Sequence, residues 1–157
     1  MIKINIICKS NTWFKYIKNP NYFFHNKINN LNKNFKKYKN KKIFCTLLLS
    51  GSKEIKKLNK KFRKKNKTTD VLSFPFHNKK ELKKLMRNTN EIYLGDMIIN
   101  LGKIKKHNDK ESFNSAFNKL WIHGLLHLFG YDHKKNSDFY KMQKIEKKFL
   151  SYIKSND

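Results

Sequence analysis

KKIFCTLLLSGSKEI, residues 41–55, decides the fold. After its two lysines the run to Ser50 is almost unbroken in apolar residues, which reads as a largely buried strand. Ser52 is the candidate N-cap of a helix, with Lys53 and Glu54 in its opening turn. Ile55, Leu58 and Phe62 then recur at helical spacing and carry the chain to Arg63. A buried strand that passes directly into a helix belongs to a sheet with helices packed on it.

The rest of the chain extends that unit. KINIICK (3–9) is the first strand, followed by a polar stretch punctuated by Trp13, Phe14, Tyr16 and Ile17, then a helical stretch near 21–38. Beyond Arg63, Asp70 to Phe76 reads as a third strand, and Pro75 assigns it to an edge. Residues 77–90 are polar and read as a loop with some helix; EIYLGDMIIN (91–100) is the fourth strand. A short turn or helix near 101–107 leads to helices at about 111–129 and 137–154. The last of these sets Phe139, Met142, Ile145, Phe149 and Tyr152 on one face. No repeat or linker divides the chain. The expectation is one α/β (α+β) domain over residues 1–157, with about four strands in a mixed sheet and helices packed on it.

WIHGLLHLFGYDH (121–133) carries the chemistry. His123 and His127, four apart on a helix, share a face. Gly130 supplies the positive backbone angle that ends the helix, and the returning chain brings His133 to the third side of a site. Three neutral imidazoles with a fourth position left to water describe a catalytic zinc site, one Zn2+ per chain; spacing alone leaves nickel, copper and iron open. Such an ion lowers the pKa of its water to about 7 and polarises a phosphoryl oxygen. The spacing also matches the extended HExxHxxGxxH helix of zinc proteases. Their general-base glutamate is absent, because Gly124 stands in its place.

The full set of blocks resembles the YbeY family of ribosomal-RNA maturation endoribonucleases. HGLLHLFGYDH at 123–133, TDVLSFPF at 69–76, YLGDMIIN at 93–100 and LNKKFRKKNKTTD running into the second block carry the resemblance, which spans roughly residues 41 to 150. Lys119 stands where many relatives carry a further histidine. The resemblance implies a metal-dependent enzyme that cleaves single-stranded RNA, acts near the 3′ end of small-subunit ribosomal RNA and serves ribosome quality control. Its implied partners are single-stranded and ribosomal RNA and the small ribosomal subunit, with no DNA and no membrane.

Composition agrees with that class. The net charge of +26 favours polyanion contact and steep salt dependence. Of the 37 basic residues, however, only Arg63 and Arg87 are arginine. The chain also has one Val and one Ala, a skew typical of A+T-rich coding, so part of the lysine excess is background. Arginine retained at 63 is then informative, because its planar fork grips phosphate in a way lysine cannot copy. Arg63 is accordingly the candidate clamp on transition-state charge at the cleaved phosphodiester. Lys60 and Lys64 are candidate substrate contacts beside it. Asp132 is a candidate to orient His133 or its turn. Asp96 is open between a role behind the metal ligands, strand-end structure and a partner contact. Tyr131 suits base stacking or packing beneath the metal. Glu146 is expected to pair with nearby lysines, and His25, His77 and His107 to be surface or satisfied polar groups. The general base is open between water on the metal and the RNA 2′-hydroxyl.

Cys8 and Cys45 have no metal-ligand spacing and read as buried free thiols of a reducing compartment. No secretory signal and no run of about eighteen apolar residues is present, so a soluble cytoplasmic protein is expected. Two other readings compete with the nuclease. One is a ribosome-assembly factor whose metal only holds the C-terminal helix and turn together. The other is a zincin-like amide hydrolase, which would need a carboxylate from elsewhere, such as Asp96.

Overall fold

The computed structural model describes residues 1–106, 109–133 and 136–154. Strands β1 (Ile2–Cys8), β2 (Lys42–Ser50), β3 (Val71–Pro75) and β4 (Glu91–Asn100) form one sheet in the order β1-β2-β4-β3. β1 and β4 run parallel to β2, and β3 runs antiparallel to β4 at the edge. Pro75 thus falls on an edge strand, where its missing N–H breaks no ladder. The helices are α1 (Pro20–Asn34), α2 (Ser52–Arg63), α3 (Lys79–Asn88), α4 (Leu101–Ile104), α5 (Lys110–Leu128) and α6 (Asn136–Tyr152). None of the described helices is long and apolar enough to cross a membrane.

Alternation along β2 explains its unbroken apolar run. Ile43, Cys45, Leu47 and Leu49 face the main core, with Trp13, Phe117, Trp121 and Phe149. Leu48, on the other face, joins a smaller cluster built on Ile55 of α2, Leu72 and Ile98. One face of the strand is thus fully buried and the other, with Phe44, Thr46 and Leu48, is half-buried, which leaves few positions for polar side chains. Aromatic rings fill much of the interior: both tryptophans, Phe117 and Phe149 are fully buried. Cys45 is buried and Cys8 half-buried, and both are free thiols.

β4 changes face halfway along. Ile92 and Leu94 point into the main core, and then Met97 and Ile99 do. The pairing shows why: Phe44 sits opposite Tyr93 but Thr46 sits opposite Asp96, so β4 carries one extra residue, a bulge. Gly95 lies in it at φ +130°, and a Cβ there would stand 2.2 Å from the Phe74 carbonyl oxygen and 2.8 Å from the Phe76 nitrogen. Both obstacles are backbone and cannot rotate away. Gly95→Ala is therefore expected to cost about 3 kcal/mol or more. A urea-unfolding midpoint equal to that of the unsubstituted protein would contradict this.

Several local expectations are corrected. Gly51, not Ser52, is the N-cap of α2. The Ser52 hydroxyl instead donates to Asn100 Oδ1 at 3.1 Å, tying the helix start to the end of β4. Residues 77–90 contain the ordered helix α3, begun by a capping box in which Asn78 and Glu81 satisfy each other's backbone N–H groups. The first helix stops at Asn34, and Lys36–Tyr38 form a separate 3-10 turn. Phe62 and Phe139 are exposed and so lie outside the buried stripes of their helices. Phe62 packs edge-on against Phe74, 5.2 Å between ring centres.

Candidate metal centre

α5 opens where Asp109 accepts the Ser112 N–H at 2.7 Å, an N-cap that also places negative charge at the positive end of the helix. Phe113, Phe117, Trp121, Leu125 and Leu128 anchor one face in the core. Gly124 lets the helix lie close on the sheet: a Cβ there would meet Met97 Sδ at 2.8 Å and Ser73 Oγ at 3.1 Å. The Ser73 hydroxyl donates to the Gly124 carbonyl at 3.2 Å, fixing the helix against the edge strand.

The helix ends in a Schellman turn. The Gly130 N–H donates to the His127 carbonyl at 2.9 Å and the Tyr131 N–H to the Leu126 carbonyl at 3.1 Å, with Gly130 at φ +81°. This turn does more than reverse the chain. It aims the Tyr131 carbonyl at the His127 ring, whose Nδ1–H donates to it at 3.0 Å. One residue on, Asp132 Oδ1 accepts the His133 N–H at 2.8 Å and steadies the segment that carries the third imidazole.

The three rings meet as the spacing requires. Ring centres lie 4.7 Å (His123–His127), 5.6 Å (His123–His133) and 5.1 Å (His127–His133) apart. One nitrogen from each falls within 4.8 Å of the others. The Nε2 atoms of His123 and His127 are 3.1 Å apart. Nitrogens about 2.0–2.1 Å from a tetrahedral centre stand about 3.3–3.4 Å from one another. The spacing is thus close to that of a shared ion. His127 Nδ1 is held by Tyr131 and His123 Nδ1 lies 3.2 Å from Glu146 Oε1, so each ring turns Nε2, with its lone pair, inward. The group could hold a metal ion, and exposed His133 leaves one side open to solvent.

Electrostatics favour the neutral form of His127, the form that binds a metal. Burial, then the neighbouring His123 and His133, push the His127 pKa from 6.5 down to about 4. A group with a lower pKa in the fold than in the unfolded chain takes up its proton on unfolding. Stability of the metal-free protein is therefore expected to fall as pH drops from about 6.5 toward about 4, and to be indifferent to this group above that window. Urea titrations across the window test this; His127→Asn should flatten the slope, and an unchanged slope would contradict the assignment.

Arg63 closes α2, where Lys64 turns left-handed at φ 58°. Arg63 Nη2 donates to the Ser73 carbonyl at 3.3 Å. Ser73 in turn holds Gly124, the neighbour of His123, so two hydrogen bonds connect the guanidinium to the histidine helix. Arg63 is exposed, and so are its neighbours in sequence Lys60 and Lys64.

Asp96 lies elsewhere. It pairs with Phe74 on β3, shares the α2-side face of the sheet and accepts a short hydrogen bond from the Tyr93 hydroxyl. Its described contacts include no imidazole. The Tyr131 ring packs against the core, so its carbonyl rather than its ring serves the site. His25 bonds Asn29 at 3.0 Å and His77 stands edge-on to Phe76; His107 lies outside the described residues. Glu146 is the residue that sequence reasoning misassigned: its described partner is His123, not a lysine. The available signal was its place at 142, 146, 149 and 153, a stripe otherwise made of buried Met142, Phe149 and Ile153.

Comparison with known proteins places the chain in a family. A family model described as Endoribonuclease YbeY matches residues 10–154. A Pelagibacter ubique protein named Endoribonuclease YbeY is 43% identical over 157 residues, covering 99% of this chain and 98% of the relative. A protein of the same name from Buchnera aphidicola subsp. Schizaphis graminum is 37% identical over 71 residues, 44% of this chain and 45% of its own. A Thermotoga maritima protein solved in solution has the same fold, with a TM-score of 0.61 at 24% identity over 96% of this chain and 89% of that one.

Proposed function

This chain belongs to the endoribonuclease YbeY family, and on that premise we propose that it cuts single-stranded RNA at a zinc ion held by His123, His127 and His133. It is a nuclease that hydrolyses RNA phosphodiester bonds, with a role in ribosomal-RNA processing. The finer reading is maturation of the 3′ end of small-subunit ribosomal RNA, carried out on the small ribosomal subunit. The observation that carries the metal reading is the convergence of three imidazoles, two of which have Nδ1 beside an acceptor and Nε2 facing the common point.

A bound zinc ion supplies Lewis acidity toward a phosphoryl oxygen and lowers the pKa of water. The chain's own residues do the rest. Arg63, braced by Ser73, offers its free N–H groups to the phosphate being cleaved. Lys60 and Lys64 hold the flanking backbone, which makes binding weaken steeply with salt. Asp132 and the Gly130 turn hold His133 in place without touching substrate. Gly124 argues against an amide hydrolase of the zincin kind, because a glutamate side chain there would drive into Met97 and Ser73.

The test is cleavage of single-stranded RNA by the purified protein before chelation, after chelation and after zinc is restored. The expected result is loss and recovery of cutting. Full activity in completely demetallated protein would refute the reading. Zinc-loaded protein that cuts nothing yet co-sediments with small ribosomal subunits would support the assembly-factor alternative.

A further inference from the structure

We propose that Glu146 is the positioning residue for His123, and that through it helix α6 sets how tightly the protein holds its metal. The inference rests on the three imidazoles forming one metal site.

Glu146 occupies a place an acid does not ordinarily take. It is four residues after Met142 and three before Phe149, both buried, so it sits on the side of α6 that faces the core. The other residues of that stripe are apolar. A carboxylate on such a stripe gives up hydration and needs a partner to offset the loss. Its described partner is the His123 ring: Oε1 lies 3.2 Å from Nδ1, with both side chains about three-quarters covered, at 30% exposure for His123 and 24% for Glu146.

The geometry leaves one productive assignment. An ionised carboxylate only accepts, so the proton must be on Nδ1. Nε2 then carries the lone pair, and it is Nε2 that lies 3.1 Å from His127 Nε2 at the common point. Glu146 thus fixes both the tautomer and the rotation of the ring, and it raises the ring's basicity toward a cation. His127 receives the same service from the Tyr131 carbonyl within its own turn. His123 receives it from another helix, which is the new element. The C-terminal helix becomes part of the metal site without supplying a ligand, and metal binding ties α6 to α5.

The experiment measures Zn2+ affinity of the full-length chain by competition with a chromogenic chelator. It compares the unsubstituted protein, Glu146→Gln, Glu146→Ala and Lys147→Ala, an exposed neighbour on the same helix. Gln keeps an acceptor but loses the charge, so zinc should bind about 10-fold more weakly; Ala loses both, and the loss should approach 100-fold. Lys147→Ala should bind as the unsubstituted protein does. In parallel, nitrogen-15 NMR of the metal-free unsubstituted protein should show His123 protonated at Nδ1. Equal zinc affinity in all four proteins would overturn the proposal, as would a His123 proton on Nε2. Absence of zinc binding in the unsubstituted protein would instead remove the metal reading itself, a separate result.

Discussion

His127→Ala leaves a folded protein that neither retains zinc nor cuts RNA. Of the three imidazoles, His127 is the one whose ring is fixed by the helix end it belongs to, through the Tyr131 carbonyl. Structural zinc sites bind with about 10–16 kcal/mol in all, so one ligand in three or four represents roughly 3–5 kcal/mol, about 10³-fold in affinity. Folding should survive at neutral pH, because the ring is neutral there in both the folded and the unfolded chain and its pKa, pushed down to about 4, costs no stability above about 6.5. The variant leaves the Tyr131 carbonyl without its donor, a loss of about 1 kcal/mol. Elemental analysis and an RNA cleavage assay on the same sample check both halves. A variant that keeps stoichiometric zinc would show that the ion is held elsewhere.

Arg63→Ala should separate metal from chemistry. Among the described residues Arg63 is hydrogen-bonded to Ser73, which bonds Gly124, and not to an imidazole, so zinc should remain bound. The lost stabilisation of phosphate charge is expected to lower cleavage by about 10²–10³-fold, as removal of one transition-state donor does elsewhere. Arg63→Lys keeps the charge but not the planar fork, and should recover only a small part of the rate. A single-turnover assay at saturating RNA distinguishes this from weaker binding. Undiminished cleavage by Arg63→Ala would return the residue to surface status.

These effects show which parts of the site lie within one stretch of chain and which do not. His123 and His127 were legible because a helix repeats a face every four residues, and His133 because Gly130 had only one good reason to be there. The strand that delivers Ser73 was legible too, with Pro75 marking its edge. What the sequence concealed depends on contacts between distant elements. Gly124 reads as a missing acid, and only packing shows that Met97 and Ser73 leave no room for one. Asp96 stands in a motif beside a glycine, yet the bulge at Gly95 sets it on the face away from the main core. Glu146 reads as one more charge among lysines until α6 is laid against α5. Its signal was local, an acid within a buried stripe, but its meaning was not.

Zinc-edge X-ray absorption of the protein loaded with one equivalent of zinc tests the central claim most directly. Three imidazole nitrogens at about 2.0–2.1 Å, with the multiple-scattering pattern of histidine rings, and one oxygen donor make the expected spectrum. A first shell containing sulfur, or oxygen donors without imidazole scattering, would contradict it.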